Sequence, residues 1–278
     1  MRVSMKAVIL AAGYGTRLQK DVAADISGDF AHLVGIAKPL LPVGSCALVT
    51  HWVRALSASN CVDSIYVVTN ALYLAAFQQW ASQFSNVKIV SDQTRSNSDR
   101  LGAVACLHLA VRHFKIEDHI VVIGGDTLFK EDFSLSKIDA RFFELQAKCE
   151  DNCMILSYQC KDDETQKYGI VEVESDLRAK CMKEKPLPNE TKSRRACPCF
   201  YMLSKKVLPL LDTFLEEKKN ARIEEKDAPG NFVSWLIPRA PVFVYQISGR
   251  FDVGNLVSYR ECDLYFKEKV HNTKTYMM

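Results

Sequence analysis

The sequence lacks an apolar run that approaches the roughly 20 residues needed to cross a bilayer, so no membrane partner is expected. Charge of one sign is not in excess either. The chain has 36 Lys and Arg against 33 Asp and Glu, a net charge of +3. Because the cations are spread along the chain in short clusters, no nucleic-acid partner is expected.

Paired metal-binding cysteines are also missing. Among the ten cysteines, no two have the Cys-x-x-Cys spacing of zinc sites. No charged-then-apolar leader precedes the first predicted strand. We therefore expect a cytoplasmic protein whose thiols are reduced.

The N-terminal loop lacks two common phosphate-binding signatures. Apolar residues 7–12 run directly into Gly13-Tyr14-Gly15-Thr16-Arg17-Leu18. A dinucleotide fingerprint needs a third glycine where the chain has Leu18, and the Gly-Lys-Ser/Thr of a P-loop is absent. The two glycines still allow backbone N–H groups to approach a polyphosphate, because no Cβ blocks the approach and positive φ costs little. Arg17 adds a planar, permanently charged fork for phosphate oxygens.

Buried-strand and helix patterns alternate along the first half of the chain, which is typical of a mostly parallel sheet covered on both faces. Strands are predicted at 6–11, 64–69, 87–90 and 119–124, with helices at 46–58, 72–84 and 102–114. The second half has a predicted hairpin at 168–185, strands at 153–159, 198–203 and 242–247, and helices at 135–148, 205–218, 229–237 and 257–269. We predict an α/β fold with a mostly parallel, doubly wound, Rossmann-like sheet and a smaller β lobe. Ligands bind such sheets beyond the carboxyl ends of the strands, where Gly13 and Asp126 would both lie.

Further motifs follow the N-terminal loop in a fixed order. The loop from Leu10 to Leu18 resembles the signature loop of the sugar-1-phosphate nucleotidyltransferases. Five later segments follow in the order used by that family: Lys38-Pro39-Leu40-Leu41-Pro42-Val43, Gly124-Gly125-Asp126, Tyr168-Gly169-Ile170-Val171-Glu172, Glu184-Lys185-Pro186 and Phe251-Asp252-Val253-Gly254. The chain resembles enzymes of the glucose-1-phosphate thymidylyltransferase and uridylyltransferase types. The resemblance implies a nucleotide-diphospho-sugar transferase fold and one catalytic domain over residues 1–278.

The resemblance also implies a reaction. An NMP group would pass from an NTP to a sugar-1-phosphate by Mg²⁺-dependent in-line displacement, giving an NDP-sugar and pyrophosphate. Residues of about 1–130 would bind the nucleotide, and residues of about 131–270, including the smaller β lobe, would bind the sugar phosphate. Dimers and tetramers are frequent in the family, so the resemblance allows a homo-oligomer.

The resemblance also implies roles for residues of this chain that match the motifs of the family. Catalytic roles fall on Arg17, Lys38, Asp126 and Lys185. Nucleotide binding falls on Leu10, Ala11, Ala12, Gly13, Gly15, Thr16, Arg17, Asn97 and Gly102. Sugar-phosphate binding falls on Gly169, Glu184 and Lys185, and the metal ligands are Asp126 and Asp252.

The residues themselves leave alternatives open. Asp126 follows a buried strand and two glycines, which suits a metal ligand but also a turn or helix cap. Lys38 precedes Pro39, so we expect an extended backbone that aims its side chain, although a solvated lysine fits the same pattern. Lys185 can neutralise a phosphate while Glu184 accepts hydrogen bonds from sugar hydroxyls, but Glu-Lys-Pro is also common on surfaces.

Base recognition is assigned to the segment before Gly102. An amide at Asn97 offers one donor and one acceptor to a base edge. Gln93 is a rival, and a plain loop cap is a third interpretation. UTP, dTTP, CTP, ATP and GTP therefore all stay open.

A departure from the family lies between Leu18 and Lys38, where 19 residues form a longer connection than the resemblance implies. Residues 21–35 are either a mobile flap beside the triphosphate or a neutral surface excursion. The chain also stops soon after its last predicted helix, so we expect no appended domain.

Two functions other than nucleotidyl transfer to a sugar phosphate are also compatible with the sequence. A non-sugar phosphate such as a phosphorylated polyol or choline could be the acceptor, and choline would call for an aromatic cage. Tyr168, Phe200, Tyr201 and Trp235 are the candidates for that cage. A catalytically silent nucleotide-sugar sensor would be expected to lose a metal carboxylate or the loop arginine, and the chain keeps both.

Overall fold

The computed structural model describes residues 4–130 and 133–275. Within this part of the chain the strands are β1 (Met5–Leu10), β2 (Pro42–Val43), β3 (Cys46–Ala47), β4 (Val62–Thr69), β5 (Val87–Ser91), β6 (His119–Gly124), β7 (Thr127–Phe129), β8 (Cys153–Gln159), β9 (Gly169–Val173), β10 (Ala179–Glu184), β11 (Arg195–Cys197), β12 (Phe200–Leu203), β13 (Val242–Gln246) and β14 (Arg250–Asp252). The α-helices are α1 (Thr16–Ala24), α2 (Leu48–Ser59), α3 (Leu74–Ala81), α4 (Ala103–His113), α5 (Leu135–Lys148), α6 (Leu210–Glu217), α7 (Pro229–Leu236) and α8 (Leu256–Thr275). Among the described helices, none is long and apolar enough to cross a membrane.

One continuous sheet holds ten of these strands in the order β10-β9-β11-β8-β12-β6-β1-β4-β5, with β13 paired to β8. The neighbours β5, β4, β1 and β6 are parallel, as the alternating pattern of the first half predicts. β12 runs antiparallel to β6 and β8, and β11 and the β9–β10 hairpin add further antiparallel pairs. The strands that point the same way are β1, β4, β5, β6, β8, β9 and β13, so most of the sheet shares one direction.

Helices cover both faces of the sheet. On β1, Ala7 and Ile9 belong to a core that also contains side chains of α2, α3, α5 and α8. Val8, between them, belongs to the opposite core with side chains of α4, α6 and α7. Because both faces are buried, the strand reads as an uninterrupted apolar run. The predicted α/β class with a mostly parallel, doubly wound sheet is confirmed.

The ends of β1 and β6 lie side by side. Leu10 is opposite Gly124 in the parallel ladder that joins the two strands. The loop that contains Gly13 and the loop that contains Asp126 therefore leave the sheet at the same edge. This is the edge at which parallel α/β sheets bind ligands.

Residues 21–35 pack on the surface of the molecule. Gln19 Nε2 donates to the carbonyl oxygen of Leu33 (3.3 Å), and the Leu33 side chain is fully buried. The rings of Phe30 and Tyr259 meet edge to face, which attaches the segment to α8. None of residues 21–35 lines the cleft described below. The contacts favour the surface excursion over a flap beside the triphosphate.

Asp139 on α5 is buried, with 2% of its surface exposed. Burial raises the pKa of its carboxyl group to about 6, and a contact with the Cys61 thiol lowers it only in part. The unfolded chain releases this proton near pH 4, before the folded protein does. The contribution of Asp139 to the free energy of unfolding is therefore fully present below pH 4, and it is lost as the pH rises from about 4 to about 6.

We expect Asp139→Asn to gain stability relative to the wild type by up to about 3 kcal/mol between pH 4 and pH 7, since the amide does not ionise. Urea unfolding at both pH values measures the difference. Asp163→Asn, at an exposed position, is the control and should leave the pH profile parallel to that of the wild type. A parallel profile for Asp139→Asn would contradict the prediction.

Candidate active site

A cleft of about 370 Å³ opens at the carboxyl ends of β1 and β6. The assigned residues that line it are Leu10, Ala11, Ala12, Gly13, Gly15, Lys38, Asn97, Gly102 and Asp126. The assigned residues outside this lining are Thr16, Arg17, Gly169, Glu184, Lys185 and Asp252. The structure thus brings most of the residues predicted to bind the nucleotide to one cleft. The residues predicted to bind the sugar phosphate lie outside its lining.

The loop between β1 and α1 leaves its backbone accessible. Gly15 immediately precedes α1 with a φ of +61°, and a Cβ there would lie 3.2 Å from Lys38 Cγ. At Gly13 a Cβ would meet nothing within 4 Å, so that glycine keeps space open for a ligand. Thr16 begins α1, and Arg17 is exposed without an ion pair or hydrogen bond from its side chain to any described residue. Helix N-terminal N–H groups and an unpaired guanidinium suit a phosphate.

Lys38 reaches the metal-ligand candidate. Its Nζ lies 3.7 Å from Oδ2 of Asp126. The prediction of an extended backbone at Lys38 is wrong, because the residue begins a 3₁₀ turn, Lys38–Leu40. Two successive hydrogen bonds hold this turn: the N–H groups of Leu40 and Leu41 donate to the carbonyl oxygens of Ala37 and Lys38 (2.8 and 3.1 Å).

Gly125 allows the two strand ends to approach closely. Its N–H donates to the carbonyl oxygen of Leu10 (2.9 Å). A Cβ at Gly125 would lie 3.0 Å from that same oxygen and 3.0 Å from Cγ of Pro39. The motif Gly124-Gly125-Asp126 marked this place in the sequence, but the steric reason for the second glycine is a property of the packed structure.

Asp126 and Asp252 meet through a short ladder that sequence reasoning missed. β14 pairs with β7 so that Asp252 is opposite Thr127, and the N–H of Val253 donates to the carbonyl oxygen of Asp126 (3.3 Å). Their side chains are 41% and 39% exposed. Within residues 4–130 and 133–275 no group of three or more His, Cys, Asp or Glu is placed to hold a metal. Two accessible carboxylates fit Mg²⁺, which commonly keeps water and substrate phosphates as its other ligands.

Glu184, which is predicted to bind the sugar, ends strand β10. It is opposite Gly169 in the β9–β10 hairpin, and a Cβ at Gly169 would lie 3.0 Å from Glu184 Oε2. Gly230 of α7 also gives room to this carboxylate. Burial raises the pKa of Glu184, and the charge of Lys185 opposes that shift. No described residue donates a hydrogen bond to the Glu184 carboxylate, so its oxygens stay available as acceptors.

Lys185 has an unusual backbone. Its φ is +49°, in the left-handed region that few residues other than glycine adopt. The N–H of Lys185 donates to the carbonyl oxygen of Tyr168 (3.0 Å), and the side chain is exposed. Strained backbone held by the surrounding structure is common where a side chain must take one direction.

Asp227 organises the predicted base-recognition loop. Its carboxylate accepts from Arg100 Nε (2.9 Å) and from the N–H of Ala103 (3.0 Å), which begins α4. Arg100 Nη1 also donates to the carbonyl oxygen of Asn97 (3.1 Å). At Gly102, where φ is +95°, a Cβ would lie 3.2 Å from Cα of Asp227. Both Arg100 and Asp227 line the cleft, and neither was assigned from the sequence.

The two amide candidates for base recognition are separated. Asn97 lines the cleft with an exposed side chain, whereas Gln93 lies outside the lining and has a φ of +66°. Asp92, which also lines the cleft, holds its neighbouring loop by accepting from the N–H and hydroxyl of Thr94 (2.9 and 2.8 Å). Asn97 is therefore the better placed of the two amides.

Buried polar residues that sequence reasoning missed support the loops. Asn70, fully buried, donates from Nδ2 to the carbonyl oxygen of Ala12 (3.0 Å). The hydroxyl groups of Tyr14 and Thr94 are 2.7 Å apart and join the β1–α1 loop to the loop that follows β5. The sequence could have indicated Asn70, because this polar residue directly follows the buried strand β4.

The aromatic residues considered for a choline cage do not come together. Phe200 and Tyr201 are buried in opposite cores of the sheet. The ring of Trp235 is covered by the guanidinium of Arg239, 3.8 Å from the ring centroid. Tyr168 is covered by a second guanidinium, described below.

Gly125→Ala should lower the free energy of unfolding by about 1–3 kcal/mol, because a Cβ forces the strand ends apart. Gly13→Ala is the matched control, since its Cβ enters open space, and should stay within about 0.5 kcal/mol of the wild type. Urea unfolding of the three proteins measures both effects. Equal stability of the two variants would contradict the packing argument.

Curated relatives cover most of this chain. A glucose-1-phosphate adenylyltransferase of Trichlorobacter lovleyi is 21% identical over 93% of this chain, which spans 64% of the relative's length. A mannose-1-phosphate guanyltransferase of Pichia angusta is 24% identical over 90% of this chain, which spans 61% of that relative's length. The chain thus spans a little over three fifths of the length of these two relatives.

Solved structures share the fold. A putative glucose-1-phosphate thymidylyltransferase from Bacillus anthracis superposes with a TM-score of 0.71 at 22% identity, covering 95% of this chain and 96% of that one. An apo UDP-glucose pyrophosphorylase superposes with a TM-score of 0.73 at 17% identity, covering 95% and 99%. At these identities the likeness shows the fold alone.

The family model described as nucleotidyl transferase matches residues 6–268, which include both halves of the sheet and the cleft at the carboxyl ends of β1 and β6. This match covers every residue assigned from the sequence, from the phosphate loop to the second carboxylate. The chain belongs to the nucleotidyl transferase family.

Proposed function

We propose that the chain is a sugar-1-phosphate nucleotidyltransferase. The observation that carries this proposal is the meeting of the β1–α1 loop with Asp126 at one edge of the sheet, where β14 brings the backbone of Asp252 beside that of Asp126. A sugar phosphate oxygen attacks the α-phosphorus of an NTP, the bond to the bridging oxygen breaks, and pyrophosphate leaves. Because a phosphate monoester is already an anion near neutral pH, no general base is needed.

Two cations serve the NTP. Arg17, whose side chain has no ion pair or hydrogen bond to the part of the chain that the structure describes, binds the triphosphate together with the N–H groups of the loop. Lys38 adds a second positive charge beside Asp126. Together they hold two anions that repel each other and neutralise the charge that grows on pyrophosphate.

Asp126 and Asp252 hold the divalent cation, which we propose to be Mg²⁺. Their hard oxygen donors and partial exposure support this assignment. When bound, such an ion polarises phosphate oxygens and offsets their negative charge. Each carboxylate also has a basic neighbour, so neither charge is left uncompensated before the ion binds.

The acceptor side is formed by Gly169, Glu184 and Lys185. The free carboxylate oxygens of Glu184 accept hydrogen bonds from sugar hydroxyls, and Lys185 neutralises the sugar phosphate. Gly169 leaves room for a close approach of the ring. The raised pKa of Glu184 reflects a poorly hydrated site, where a sugar hydroxyl replaces water as a donor.

The nucleotide and sugar halves, about 1–130 and 131–270, would work as one catalytic unit. The continuity of the ten-stranded sheet across both halves supports this. No two of the ten cysteines, all of which lie in the described part of the chain, are joined by a disulfide, which supports a cytoplasmic location because disulfides are rare in reducing compartments.

A substrate panel tests the reaction. Thermal unfolding with UTP, dTTP, CTP, ATP or GTP plus Mg²⁺, each with several hexose-1-phosphates, should show stabilisation by one NTP, because a bound ligand stabilises the folded state. That NTP should then release pyrophosphate with one sugar phosphate. Asp126→Asn and Asp252→Asn should each lower turnover by about 100-fold or more. Stabilisation without turnover for any pair would contradict the proposal and favour a sensor or a non-sugar acceptor.

Arg17→Ala should raise the KM for the NTP by about tenfold, because one charge-assisted contact to the triphosphate is lost. The KM for the sugar phosphate should stay within about twofold of the wild type. Lys20→Ala, exposed one turn later on α1, is the matched control. Steady-state kinetics measure both constants, and an equal rise in the two KM values would count against a triphosphate role for Arg17.

A further inference from the structure

Arg250, the first residue of β14, is nearly enclosed, with 10% of its side chain exposed. Each of its three guanidinium nitrogens has a partner. Nη2 donates to Asp252 Oδ2 (3.2 Å), Nη1 to the hydroxyl of Thr127 (3.2 Å) and Nε to the hydroxyl of Tyr158 (3.3 Å). A planar fork with every nitrogen bonded is held in one orientation, and it holds its partners in return.

The same guanidinium also reaches the acceptor side. Its Cζ lies 4.7 Å from the centroid of the Tyr168 ring, in a cation–π contact. Tyr168 accepts the backbone N–H of Lys185 through its carbonyl oxygen (3.0 Å). A short chain of contacts therefore leads from the Asp252 carboxylate through Arg250 and Tyr168 to the backbone of Lys185.

These contacts exceed what charge compensation requires. A counter-ion for Asp252 would need one contact, and any cation, including lysine, would provide it. The hydroxyl partners on β7 and β8 make no contribution to neutralising the carboxylate. They fix the direction from which the guanidinium meets Asp252, because its N–H donors point in fixed directions in one plane, whereas those of an ammonium rotate.

We propose that Arg250 is a positioning residue for the reaction proposed above. Its fork orients the Asp252 carboxylate for binding the divalent cation and, through Tyr168, sets the position of Lys185 relative to that cation. Arg250 is distinct from the catalytic residues because its nitrogens are engaged by the protein itself. Hydrogen-bond partners of metal-binding carboxylates typically change metal affinity or activity by about 10–100-fold when they are lost.

Mn²⁺ binding, followed by electron paramagnetic resonance without any substrate, tests the first part. Arg250→Lys keeps the charge and loses the fork, so Mn²⁺ should bind about tenfold more weakly than to the wild type. Arg239→Lys is the matched control, because that arginine also covers an aromatic ring and pairs with a carboxylate, Glu217, but away from the cleft. Its Mn²⁺ affinity should be unchanged. Mn²⁺ affinity in Arg250→Lys equal to that of the wild type would overturn the proposal, as would a wild-type protein that does not bind Mn²⁺.

Arg250→Gln separates orientation from charge. A counter-ion role predicts tighter Mn²⁺ binding in Arg250→Gln, because a positive charge beside the metal site is removed. The positioning role predicts weaker binding in both substitutions. Tyr158→Phe keeps the ring and removes the hydroxyl group that accepts from Nε, so it covers the case in which the arginine variants fail to fold. It should weaken Mn²⁺ binding by about threefold, and an unchanged affinity there would overturn the proposal.

Kinetics test the second part with the substrate pair found in the panel. With Mg²⁺ at a saturating concentration, Arg250→Lys should raise the KM for the sugar phosphate by about tenfold and leave the KM for the NTP within about twofold. A parallel rise in both constants would overturn the link to Lys185. A wild-type protein that binds Mn²⁺ but turns over no substrate pair would instead contradict the proposed reaction, so the two failures are distinguishable.

Discussion

The close approach of β1 and β6 at their carboxyl ends is the constraint on which the rest of the site depends. The hydrogen bond from Gly125 to the carbonyl oxygen of Leu10 leaves no space for a side chain between the two strands. Because the strands end side by side, a loop suited to phosphates and a loop that presents Asp126 open into one cleft. Backbone geometry, rather than attraction between side chains, thus brings the anion-binding loop and the acidic loop together.

Each of the two carboxylates proposed as metal ligands has a basic neighbour. Asp126 lies near Lys38 and Asp252 near Arg250, and the two cations come from different parts of the chain. In a partly enclosed cleft these interactions are stronger than in water, so the site tolerates concentrated charge before any ligand binds. The same cations stand beside the positions proposed for the leaving group and for the acceptor-side contacts. Lys38 and Arg250 therefore both stabilise the empty site and contribute to the binding of anions.

Local patterns predicted much of this molecule. Alternation of apolar strands and amphipathic helices marked the doubly wound sheet, and the positions of Gly13 and Asp126 after buried strands marked the cleft. Very short strands escaped prediction, because β7 and β14 have three residues each and no detectable period. Lys38 was expected to be extended from its proline neighbour alone, yet the hydrogen bonds of a 3₁₀ turn outweigh that local preference.

The sequence by itself determined the α/β class, the order of the motifs and the kinds of side chain available for phosphate and metal chemistry. These depend on periodicity and residue type, which are local properties. Only the tertiary structure decided that Asp252 joins Asp126, that Asp227 holds the loop of Arg100, and that the fork of Arg250 is enclosed. Apart from the bond within β14, these contacts join residues that are far apart in the sequence, with 92 positions between Arg250 and Tyr158 and 127 between Arg100 and Asp227. Such contacts follow from the packing of the whole chain, so no local pattern in the sequence can specify them.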